Sequence, residues 1–69
     1  MDSLDMSLAA SLGDLAARAA VDESARLLLW AECQAVARSL TARGYTAEEI
    51  ASWSGTSVEQ VIAWRFADG

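Results

Sequence analysis

Leu4, Leu8, Leu12, Leu15 and Ala19 recur every three or four residues, a spacing that places them on one face of an α-helix. The pattern predicts a first helix within residues 1–20, interrupted weakly by Gly13 and prone to fraying at its start. A second series, Leu29, Cys33, Val36 and Leu40, steps by four, three and four, and Leu27, Trp30 and Ala31 widen its stripe. Asp22 and Glu23 ahead of this series and Arg38 and Arg43 at its far end complement a helix dipole. The second helix is therefore expected over residues 22–43, with Gly44 as the left-handed residue that ends it.

Beyond Gly44 the signals are caps. Thr46 with Glu49, and Ser57 with Gln60, each have the spacing of a capping box, in which a hydroxyl and an acid or amide exchange hydrogen bonds with orphan backbone N–H groups. Two short helices are expected over residues 47–54 and 58–66, joined by a tight turn at Gly55. Ile50, Ala51, Val61 and Trp64 are expected to face inward. The fold class is all-α: one domain, residues 1–69, with an accessory N-terminal helix at 1–20 and a trihelical core at 22–66.

Composition then limits how such a domain is held together. The chain has 69 residues, five arginines, no lysine, no histidine and a net charge of −5. Its hydrophobic fraction is 54%, but 15 of those residues are alanine, which favour helix and bury little area each. A single core of this size rarely supplies more than ~3–5 kcal/mol, so small proteins usually add a disulfide, a metal or a second subunit. Cys33 has no second thiol to bridge, and a chain without histidine lacks the usual zinc ligands. Dimerisation is the remaining supplement, with Leu29, Trp30, Cys33 and Val36 as the expected dimer-interface residues. No apolar run approaches the ~20 residues of a membrane span, and acidic Asp2 and Asp5 occupy the place of a basic signal-peptide start, so a cytoplasmic protein is expected.

Two short helices joined by a glycine turn make a helix-turn-helix unit. With Ile50 and Ala51 inward on one helix, Gly55 at the turn, and Val61 and Trp64 inward on the next, residues 40–66 resemble the helix-turn-helix superfamily, in its homeodomain-like trihelical branch. That resemblance implies a last helix lying in the DNA major groove, with Lys and Arg around it neutralising phosphates. The residues that would face DNA are Val58, Glu59, Ile62, Ala63, Phe66 and Ala67, and none carries the Arg, Lys, Asn or Gln donors that read base edges. Ala67 stands where the homeodomain pattern expects an adenine-reading Asn. From Ser39 onward two arginines face four acids, a local balance of −2, which opposes phosphate binding.

What the last helix carries instead is Val58, Ile62 and Phe66 at i, i+4 and i+8, on a different face from Val61 and Trp64. Either the first helix folds back over this stripe, or the stripe meets another protein, with Glu59 and Asp68 as a charged rim. Trp53, late in the third helix, is a further partner-binding candidate, or an edge of the core; Tyr45 lies just ahead of that helix. The expected function is that of a small acidic protein that binds and modulates another protein, a regulator or a nucleic-acid-handling machine. Its size and charge are similar to those of phage-encoded inhibitors and anti-activators. The alternative is a dimeric DNA-binding transcriptional regulator contacting the DNA backbone through Thr56, Ser57 and Arg65.

Chemistry offers less. Cys33 has no histidine to activate it, and the acid pairs Asp22–Glu23 and Glu48–Glu49 fall where helix dipoles account for them. With no phosphate loop, triad or metal set, the expectation is a non-enzyme with no cofactor and no metal site.

Overall fold

The computed structural model describes residues 2–66, so the expectations placed on Ala67 and Asp68 lie outside the described residues. Four helices follow one another: α1 (Ser3–Val21), α2 (Arg26–Ala42), α3 (Ala47–Ser54) and α4 (Val58–Phe66). No strand occurs among the described residues, and none of their helices is long and apolar enough to cross a membrane. One core joins all four elements: Leu12 from α1, Cys33, Ala37 and Leu40 from α2, Ala47, Ile50 and Ala51 from α3, and Val61 and Trp64 from α4. α1 packs on α2 and α3, and α4 packs on the same two helices, while α1 and α4 make no close backbone approach.

α3 and α4 have the bounds that their caps predict. The Thr46 hydroxyl accepts from the Glu49 N–H at 3.2 Å and the Glu49 carboxylate accepts from the Thr46 N–H at 3.0 Å, closing the box in both directions. At α4 the Ser57 hydroxyl accepts from the Gln60 N–H at 3.1 Å. Gly55 ends α3 at φ 72°, and Gly44 takes φ 100°, conformations that cost a residue with a Cβ roughly 1–2 kcal/mol.

The first two helices differ from expectation at several points. α2 begins at Arg26 because Asp22 caps the end of α1, and its carboxylate accepts from the Ser24 hydroxyl at 2.8 Å and the Ala25 N–H at 3.2 Å. Asp side chains make such turns in competition with helix, so the two acids at 22 and 23 mark a connection. On α1 the buried series is Asp5, Ala9, Leu12 and Ala19, and Leu4 is outside it at 54% exposed. On α2, Ala37 fills the core position beside half-buried Val36, while Leu27 and Ala31 are exposed. Gly13 has a packing reason: a Cβ there would stand 2.9 Å from the Trp53 carbonyl oxygen, so α1 and α3 cross at a distance only glycine permits.

A polar cluster ties the chain's start to the α2–α3 connection. The Asp2 carboxylate caps α1 by accepting from the Asp5 N–H at 2.8 Å, which opposes fraying. Asp5, buried, accepts from the Arg43 guanidinium and from the Tyr45 hydroxyl, and Arg43 also reaches Asp2 at 3.8 Å. The Tyr45 ring in turn meets Trp53 edge to face at 5.0 Å between centroids. The Tyr45 hydrogen bond, aided by Arg43, holds the Asp5 carboxyl below its usual range, and the same bond to Asp5 pushes the Tyr45 phenol up to about 12.

Candidate functional site

α4 is short, and its two apolar faces have different environments. Val61 and Trp64 are fully buried, and the Trp64 ring meets Trp30 of α2 edge to face at 5.5 Å between centroids. Neither indole N–H has a hydrogen-bond partner among the described residues. On the opposite side Ile62 is 42% and Phe66 74% exposed, with Glu59 and Ala63 exposed beside them. Val58 is the half-buried root of this stripe, packed against the core. Because α1 lies over α2 and α3 away from α4, it leaves the Ile62 and Phe66 side chains open.

Next to this stripe, α2 and α4 enclose a groove of about 250 Å³ lined by Arg38, Thr41, Ala42, Arg65 and Phe66. The Arg65 guanidinium lies 5.8 Å from the centre of the Phe66 ring, within cation–π range. Arg18 pairs with Asp14, Arg43 pairs with Asp2 and Asp5, and the Arg26 Nε donates to the Ala19 carbonyl. Arg38 and Arg65 have no ion-pair partner among the described residues, so the groove is a cationic spot on an acidic chain.

The expected site residues are therefore only partly brought together. Val58, Glu59, Ile62 and Phe66 share the outer side of α4, whereas Trp53 is half-buried against Tyr45 at the α1–α3 side. Of the expected dimer-interface residues, Leu29 and Cys33 are 6% and 0% exposed and occupied within the chain. Trp30 is engaged with Trp64 and half-buried Val36 packs against the core, so this face of α2 serves the fold. Burial, with Glu32 nearby adding to it, pushes the Cys33 thiol pKa up and keeps the sulfur in its unreactive protonated form. Thr56 and Ser57 have local work: their hydroxyls meet Ser54 at 2.6 Å and the Gln60 N–H at 3.1 Å, closing the turn before α4.

The periodicity of α4 pointed to Ile62 and Phe66. Arg38 and the groove were missed, since the α2 pattern says nothing about which helix its C-terminal end meets. Compared with protein-family models, curated proteins and solved structures, the chain matches none.

Proposed function

We propose that this chain is a protein-binding module on a helix-turn-helix-like scaffold, and that it modulates its partner by docking through the outer side of α4. Ile62 and Phe66 are the apolar anchors, Val58 supports them from the core edge, and Glu59 supplies a charged rim. The observation that carries this reading is the exposure of two large apolar side chains on the face opposite the buried Val61 and Trp64, left uncovered by α1. Large apolar anchors surrounded by polar groups are the usual centre of a protein interface.

DNA binding through the same helix is the weaker reading. The outer side of α4 offers no base-reading side chain, the Thr56 and Ser57 hydroxyls are engaged in the turn, and the whole chain carries −5. A partner that is itself a regulator or a nucleic-acid-handling protein suits a chain whose net charge of −5 favours approach to a basic protein.

The test is a photo-crosslinking side chain placed at position 62 in the producing cell. Crosslinks to a second protein, lost when Phe66→Asp is added, are the expected result. Crosslinks to DNA, matched by a sequence-selective gel shift at low salt, would replace this reading with the regulator.

A further inference from the structure

The outward face of α2 has two chemically opposite ends. At the N-terminal end Leu27 and Leu28 are 87% and 75% exposed, and Glu32, one turn beyond Leu28, is exposed without an ion-pair partner among the described residues. The nearest cation in sequence, Arg26, is half-buried and turned onto the Ala19 carbonyl at 2.9 Å, so it does not neutralise that end. At the C-terminal end Arg38 and Arg65 flank the apolar groove formed with Thr41, Ala42 and Phe66.

We propose that this face docks a second copy of the chain, with the two α2 helices antiparallel and paired about Ala35. In that arrangement Glu32 of each copy lies level with Arg38 of the other, and Leu28 lies level with Ala42 at the edge of the groove. Residues 28, 35 and 42 fall on one side of a 3.6-residue helix, and Glu32 and Arg38 flank that line, so one docking event engages both ends of both copies. The contact is self-complementary and closes as a two-fold dimer, leaving no free end to grow into a filament.

Charge selects this occupant. A nucleic acid strand would bring many phosphates to a chain of net charge −5, and its backbone would leave the apolar groove wall unused. A second copy supplies a carboxylate beside an exposed leucine, in the spacing that the arginine and groove require. The interface lies on the side of α2 away from Leu29 and Cys33, and it stands independently of partner docking at Ile62. Phe66 borders both surfaces.

Sedimentation equilibrium on the full chain over about 1 μM to 1 mM tests the proposal. The wild type is expected to reach twice the chain mass, with an association that weakens as salt rises. Glu32→Arg and Arg38→Glu, both at exposed positions and both expected to keep wild-type helicity by circular dichroism, each weaken the dimer by about tenfold or more. The double variant Glu32→Arg/Arg38→Glu restores it, because opposite charges again lie level across the seam. Ile62→Asp leaves it unchanged, which separates this result from failure of partner docking. A wild type that remains monomeric throughout, single variants that dimerise as tightly as the wild type, or a double variant as weak as the singles would each overturn the proposal.

Discussion

The inner and outer faces of α4 are built from similar residues and have different fates. Val61 and Trp64 are sealed into the core, whereas Ile62 and Phe66, one and two residues further along, project into solvent. Their hydrophobicity is comparable, so residue type does not decide which is buried. The decision comes from what stands opposite: α2 and α3 cover one side, and α1 packs where it cannot reach the other. Apolar surface left open in a chain with so thin a core is costly to solubility and contributes nothing to folding, and the proposed docking rests on this surface.

The largest effect that sharpens this contrast is Trp64→Ala. Truncating a buried Trp costs about 3–5 kcal/mol, comparable with the whole ~3–5 kcal/mol expected of so small a core. Circular dichroism should therefore show a largely unfolded chain at 25 °C. Gly13→Ala comes next, since the new methyl would press on the Trp53 carbonyl; overpacking of about 1–3 kcal/mol outweighs the ~1 kcal/mol of helix propensity gained. Urea midpoints should fall accordingly, and an unchanged midpoint would show that α1 and α3 cross less closely. Phe66→Asp should alter stability by no more than about 0.5 kcal/mol while abolishing partner capture.

A pH series probes the polar cluster at the α2–α3 connection. The Asp5 carboxyl titrates lower in the folded chain than in the unfolded one, so its contribution is present above the ordinary value of 3.8 and is lost as pH falls through the lower folded value. The Tyr45 phenol is raised from 10.0 to about 12, so its contribution is present below pH 10 and fades as pH climbs through about 12. Tyr45→Phe should remove the alkaline limb and shift the acid limb to higher pH, because the Tyr45 hydroxyl is the largest influence lowering Asp5. Urea midpoints between pH 2 and 12 would show neither change if the cluster were absent in solution.

Legibility in the sequence followed the range of the interactions. α3 and α4 could be bounded to the residue because Thr46, Glu49, Ser57, Gln60 and Gly55 act within one turn of where they stand. Asp22 misled because the same carboxylate suits a helix start and an Asp-closed turn. Burial of Asp5 in preference to Leu4 depends on Arg43 and Tyr45, nearly forty residues away, and periodicity within α1 carries no trace of them. The outer stripe of α4 was visible as a pattern, but whether α1 would cover it was a question of packing direction. The cationic groove required knowing that Arg38 and Arg65 meet across two helices.

Ile62 and Phe66, exposed on the outer side of α4, should be dispensable for folding. Urea unfolding of the Ile62→Asp/Phe66→Asp double variant, compared with the wild type at pH 7, tests this most directly. A cooperative transition with its stability within about 1 kcal/mol of the wild type is the predicted result. A loss approaching that of Trp64→Ala would place the stripe in the core and contradict the claim.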